Sequence, residues 1–340
     1  MTLHDTRVEG PRVPALTFRR LRGEADFPLM LAVAQGSNRA DRTGGRVSLA
    51  DIERVCTPRD GYDPSQDVLL ALAAGAGGGA PAVIGYSRVG WYSGLEDTRL
   101  YYQISFLLPE WRGLGLWQAM VQENERRLRE IAAGHPATTR RLLQAWSTDT
   151  QVEWISVLES QGYRAVRYFF NMLHRLENFP DRPLPAGLEV RPLRPAHLRS
   201  IWEVQKEETR DLFETVAEDW TEDKYQAWLD RPTHTPDLWQ VAWDGDRVAG
   251  MVLARIDEAE NKERGRKRGY TEHIFVRRPW RKRGLASALI AKGLRVLQAH
   301  GMNEAELGVD SENESGALGL YRSMGYETES TDTWFRKPME

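Results

Sequence analysis

Val276-Arg277-Arg278-Pro279-Trp280-Arg281-Lys282-Arg283-Gly284-Leu285-Ala286 is the stretch on which the reading of this chain turns. An apolar run, YTEHIFV, leads into it, and an amphipathic pattern of about four helical turns leaves it. It therefore reads as strand, turn, helix. The first N–H groups of a helix have no partner inside it and lie at the positive end of its dipole, so such a start attracts anions. Gly284 and Ala286 leave room for a phosphate to reach that backbone, and Arg281, Lys282 and Arg283 add positive charge around it.

The same arrangement occurs earlier in the chain. YYQISFLLPEWRGLGLWQAMVQENERRLREI is again an apolar strand, a Gly/Arg turn and an amphipathic helix. The two copies belong to an internal repeat of roughly 170 residues, too long for a solenoid unit. Each half opens on a short strand, at Phe18–Leu21 and Val190–Leu193. Strand runs follow at Val68–Ala74 and Ala82–Tyr92 in the first half, joined by a loose loop around Gly75–Gly79. In the second they lie at Leu238–Trp243 and Arg247–Ile256, joined by the turn Asp244-Gly245-Asp246. Each half closes on a strand, a helix and a Gly-Tyr step, Gly162-Tyr163 or Gly325-Tyr326. The proline-rich stretch 178–187 reads as a linker. We expect an α/β fold of two similar domains with mixed sheets, at residues 1–177 and 188–340.

Composition narrows the function. At 41% hydrophobic and 28% charged residues the chain is globular in type, and no run of about 18 apolar residues would span a membrane. The charged, proline-containing start lacks the apolar core of a signal peptide. Cys56 is the single cysteine, which excludes internal disulfides and cysteine-based metal sites. A net charge of −3 gives no general drive toward nucleic acid. These features favour a cytoplasmic protein, monomer or homodimer, with no metal, nucleic-acid or membrane partner.

Arg-x-x-Gly-x-Ala between a strand and a helix resembles the pyrophosphate-binding motif of the GNAT acetyltransferases. Downstream, Leu307-Gly308-Val309-Asp310-Ser311-Glu312-Asn313, Leu320-Tyr321 and Gly325-Tyr326 resemble that family's closing motif, in its order and spacing. Pro279 lies one residue later than in the commonest pattern, although Val276 to Arg281 keeps the usual distance. The resemblance implies two tandem acyl-CoA N-acyltransferase domains using acetyl-CoA. Arg281, Lys282, Arg283, Gly284, Leu285 and Ala286 would hold its pyrophosphate, and Asn313 would lie near the pantetheine arm. Backbone N–H groups at Phe275 or Val276 would bind the thioester carbonyl, and the Tyr321 hydroxyl would protonate the leaving thiolate. The tandem form is similar to mycothiol synthase, whose second domain acetylates a sugar amine; a non-catalytic acyl-CoA-binding module is the alternative.

An alkyl ammonium must lose a proton before it can attack a thioester, and at pH 7 only about one part in a thousand is neutral. A general base, acting directly or through water, is therefore expected, and the resemblance implies one on this strand at an even spacing before Val276. Period-two alternation places Tyr270, Glu272, Ile274 and Val276 on one face. Glu272 is the first choice, its competing role being an ion pair with Arg255, Arg277 or Arg278; His273 is the reserve. Glu207, Glu208, Asp211, Glu214, Glu218 and Asp219, with Trp202, Trp220 and Trp228, suggest an acidic, aromatic cleft for a small amine acceptor. The basic run Asn261–Arg268 reads as a solvated hairpin loop. In the first half, Leu158 aligns with Tyr321, Thr150 with Asn313 and Trp117 with Ala286. That half lacks the hydroxyl and the amide, and Trp117 would crowd a phosphate, so catalysis is expected in the second half only.

Overall fold

The computed structural model describes residues 16–43, 47–74, 81–94, 97–136, 140–209, 220–231, 234–313 and 316–340. The chain forms two compact units, Met1–Arg167 with Asp332–Glu340, and Tyr168–Thr331.

The first unit runs β1 (Thr17–Arg20), α1 (Phe27–Asp41), α2 (Leu49–Val55), α3 (Pro64–Asp67), β2 (Val68–Ala73), β3 (Ala82–Ser93), β4 (Thr98–Leu107), α4 (Leu116–Ala133), β5 (Arg140–Thr148) and α5 (Val152–Ser160). Strand β6 (Arg164–Arg175) passes into the second unit, which continues with β7 (Glu189–Val190), α6 (Pro195–Thr209), α7 (Glu222–Leu229), β8 (Gln240–Asp244), β9 (Arg247–Ile256) and α8 (Glu258–Arg264). Then come β10 (Arg268–Val276), α9 (Leu285–Ala299), β11 (Glu304–Asp310), α10 (Ala317–Ser323) and β12 (Glu327–Pro338).

Both sheets are mixed. In the first unit the strand order is β1-β2-β3-β4-β5-β12, with β4 and β5 parallel. In the second it is β6-β11-β10-β9-β8-β7, with β10 and β11 parallel. The closing strands are exchanged. Residues 169–175 of β6 pair antiparallel with β11 of the second unit, and Asp332–Pro338 of β12 pair antiparallel with β5 of the first. The units thus divide at Arg167/Tyr168 and Thr331/Asp332, whereas the sequence repeat divides near the proline-rich stretch. That stretch has no regular element. It packs within the second unit, where Phe179 and Leu184 cover apolar residues and Asp181 pairs with Arg295 of α9 at 2.6 Å.

Alternation on the strands builds two apolar layers in the second unit. Ala242, Ala249, Val252 and Ala254 face α9 and α10, while Val241, Trp243, Met251 and Leu253 face α6 and α7. Helix α9 buries Ile290, Gly293, Leu294 and Leu297, the i, i+3, i+4, i+7 stripe of an amphipathic helix, with Leu285, Ala288 and Leu289 beside it.

The strands expected at Ala82–Tyr92 and Arg247–Ile256 are present as β3 and β9; the loop around Gly75–Gly79 lies outside the described residues. The basic run differs from expectation. Asp257 caps α8 by accepting the Glu260 N–H at 2.9 Å, so Asn261 to Arg264 are helical. Arg268 is buried, with Glu304, Glu306 and Glu329 within 2.6–3.0 Å of its guanidinium. Three carboxylates offset the cost of burying that cation, which is why this charge does not remain in solvent.

Candidate active site

Strands β10 and β11 are paired only from Arg268/Glu304 to Tyr270/Glu306. Beyond Tyr270 the two strands part, and a gap opens through the sheet. On its other side β10 stays paired with β9, but the register slips between Glu272 and Phe275, where His273 and Ile274 together oppose Val252. This is a β-bulge, and His273 takes a φ of 48°, a conformation costly for a side chain without local reward.

The bulge corrects the expected alternation. Tyr270 and Glu272 share a face with Leu253, toward α6, but past the bulge it is Phe275 that faces α6, while Ile274 and Val276 turn to the opposite layer. The Arg277 N–H bonds the Ala249 carbonyl at 3.0 Å. Ladder alternation therefore turns the Val276 N–H away from β9 and toward the gap.

After β10 a 3-10 turn, Arg278–Trp280, leads to Arg281, whose Nε donates to the Val276 carbonyl at 2.8 Å. Lys282 has φ 59° and Gly284, the N-cap of α9, has φ 83°. Helix α9 starts with no capping side chain. Its first bond runs from the Ala288 N–H to the Gly284 carbonyl at 3.1 Å, leaving the N–H groups of Leu285, Ala286 and Ser287 unused by the helix. A Cβ placed on Gly284 would meet nothing within 4 Å. Arg281, Lys282, Arg283 and Gly284 are exposed, while the Leu285 side chain is buried and offers only its N–H. The loop is an open, cationic cradle of amides suited to a diphosphate.

Tyr321 on α10 is buried, packed in the same apolar layer as Ile274, Val276 and Leu285. Its hydroxyl has no hydrogen-bond partner among the described residues. Burial pushes the phenol above its ordinary pKa, and the charge of Glu208 adds to that shift. Glu208 belongs to α6, which packs on the opposite apolar layer of the sheet. Asn313 sits half-buried in the turn before α10, its N–H on the Asp310 carbonyl at 3.2 Å.

On the α6 side, Glu272 is bound to Arg255 at 2.9 Å, the ion pair that competed with a catalytic role in the sequence. His273 Nδ1 lies 3.0 Å from Glu208, and Glu207 holds Arg277 at 2.8 Å. Trp202 and Trp220, with ring centroids 4.3 Å apart, and Trp228 line this side with His234 and Trp239. Of the acidic residues expected here, Asp211, Glu214, Glu218 and Asp219 lie outside the described residues.

Residues 199–326, all within the second unit, match the model of the acetyltransferase (GNAT) family. An acetyltransferase of Pectobacterium atrosepticum is 30% identical over 127 residues, 35% of this chain and 84% of that protein. The chain belongs to the GNAT acetyltransferase family. A mycothiol acetyltransferase of Geodermatophilus obscurus is 24% identical over 313 residues, covering 88% of this chain and 96% of that one. The crystal structure of a GNAT N-acetyltransferase from Sphaerobacter thermophilus superposes with a TM-score of 0.69 at 25% identity, over 96% of this chain and 97% of that one. The protein is thus an acyltransferase of the acetyl-CoA-using kind. Among its described residues no helix is long and apolar enough to cross a membrane, and no group of three or more His, Cys, Asp or Glu side chains could hold a metal ion.

The acetyltransferase keeps the loop backbone in its first unit. Gly113 and Gly115 have φ 70° and 83°, the Arg112 Nε donates to the Leu107 carbonyl at 3.3 Å, and the Ala119 N–H bonds Gly115 at 3.1 Å. The side chains differ. Arg112 is held by Asp41 at 2.9 Å and Ser37 at 3.0 Å. Trp117 does not crowd the cradle as expected; it is buried against Trp154, beneath the Arg112 guanidinium. Leu158 is fully buried.

The bulge is what the sequence reading missed. Strand β4 pairs with β3 without a slip from Gly85/Leu107 to Ser93/Arg99. Tyr102 of β4 opposes Gln144 as Tyr270 opposes Glu306, yet one more residue separates Tyr270 from Arg281 than Tyr102 from Arg112. That single-residue difference between the repeats was the available signal.

Proposed function

We propose that the acetyltransferase moves an acetyl group from acetyl-CoA to a primary amine of a small molecule by direct attack, in its second unit. The observation that carries this is the parting of β10 from β11 beyond Tyr270, beside the uncapped start of α9 and the buried Tyr321. In this reading the loop from Arg281 to Ala286 grips the pyrophosphate and the pantetheine runs along β10 past Asn313. The Val276 N–H faces the thioester oxygen as it gains charge. Glu272 receives the acceptor ammonium and begins removal of its proton, directly or through water. Tyr321 protonates the CoA sulfur. The first unit, with Leu158 at the acid position and no bulge, is non-catalytic.

The aromatic cluster of Trp202, Trp220 and Trp228, beside the acidic end of α6, suits a cationic small molecule. The mycothiol acetyltransferases, similar across most of the chain, favour their own acceptor as the more specific reading. The test is thiol release from acetyl-CoA across a panel of primary amines that includes that acceptor, with Tyr321→Phe and Glu272→Gln alongside. Turnover that neither substitution slows would remove these roles; saturable acetyl-CoA binding without turnover would make the chain a binding module.

A further inference from the structure

Glu272 is 40% exposed and already spends one carboxylate oxygen on Arg255, so it does not account for where the acceptor's proton finally goes. The neighbouring residue is placed differently. The bulge swings His273 toward α6, where Nδ1 meets Glu208, whose side chain is only 12% exposed. The Nε2 edge belongs to a side chain that remains 42% exposed. A carboxylate on Nδ1 selects the tautomer whose Nε2 carries the lone pair and stabilises the imidazolium once it forms.

We propose that His273, oriented by Glu208, is the terminal proton acceptor of the transfer, a role that rests on the reading that the second unit is catalytic. The ammonium gives one proton to His273 Nε2, directly or by way of Glu272, and His273 passes it to water. The nitrogen then attacks the thioester: a C–N bond forms and the C–S bond breaks. The second proton, lost by nitrogen as the amide forms, ends on the CoA sulfur through Tyr321. Glu208 is a positioning residue and does not touch substrate.

The groups facing His273 are Glu208 on α6, Glu272 on its own strand, and Arg231 and His234 after α7. Burial draws the imidazolium pKa down, but the Glu208 hydrogen bond and the charges of Glu208 and Glu272 outweigh it and Arg231, leaving the pKa above its ordinary 6.5. A base poised near the working pH transfers protons best. His234, pressed between Trp228 and Trp239, is driven down to about 4 by burial, with Arg231 and His273 adding, and stays neutral.

The test joins two measurements on the full chain. Imidazole titration followed by NMR needs no acceptor: His273 should titrate above 6.5, and Glu208→Gln should lower its midpoint. The profile of kcat/KM against pH, taken with acetyl-CoA and the fastest amine of the panel, should rise through that midpoint. His273→Asn, chosen because Asn tolerates a positive φ, should lose the rise and roughly a hundredfold in rate at neutral pH. Glu208→Gln should move the rise to lower pH, and Glu272→Gln should slow turnover while leaving the rise. A slow Tyr321→Phe beside a His273→Asn with near-normal rate and an unchanged rise would overturn this role alone. If Tyr321→Phe is also unimpaired, the assignment of chemistry to the second unit falls with it.

Discussion

Tyr321 and Leu158 hold the same backbone position in the two units: the Tyr326 N–H bonds the Tyr321 carbonyl at 3.1 Å, and the Tyr163 N–H bonds the Leu158 carbonyl at 3.0 Å. Each helix ends with a glycine in the left-handed region, Gly325 at φ 96° and Gly162 at φ 85°. The scaffold was kept and the hydroxyl was not. Because that hydroxyl bonds nothing described, Tyr321→Phe should leave the thermal midpoint nearly unchanged while lowering kcat roughly a hundredfold or more. The KM for acetyl-CoA should barely move. Steady-state kinetics beside a thermal melt separates these effects.

Gly284 and Gly115 share a φ of 83°, so alanine at either position strains the backbone by about 1–2 kcal/mol. Only Gly284 faces the cradle assigned to the cosubstrate. We expect Gly284→Ala to raise the KM for acetyl-CoA about tenfold, and Gly115→Ala to lower the melting temperature without altering kinetics. Equal kinetic losses in both would place cosubstrate chemistry in the first unit as well.

Arg112 and Asp41 are both nearly buried, and each is the other's neutralising partner. Removing one leaves a buried charge, a change that costs about 3–5 kcal/mol. Asp41→Ala should therefore lower the denaturant midpoint sharply while turnover per folded molecule stays at the parent value.

The Glu329 carboxyl is held below its ordinary 4.5, chiefly by its hydrogen bond to Arg268. A depressed carboxyl stabilises the fold above its unfolded pKa, and that stability is lost as pH falls from about 4.5 through the folded value. Since Glu329 is 41% exposed, solvent screening keeps the effect below about 1 kcal/mol. Melting temperatures followed downward from pH 5 should fall less steeply for Glu329→Gln than for the parent chain.

The sequence by itself determined the repeat, the strand–turn–helix, the small residues Gly284 and Ala286 at the helix start, and the Leu158–Tyr321 exchange. Each is a local matter of periodicity, backbone freedom or residue identity at a fixed spacing. Tertiary structure alone decided which sheet takes each closing strand, because β6 and β12 carry no local mark of the edge they join. It also decided that Glu272 pairs with Arg255 while His273 reaches Glu208. One bulged residue reverses the alternation of everything after it, and strand periodicity read along a line has no means of registering that slip.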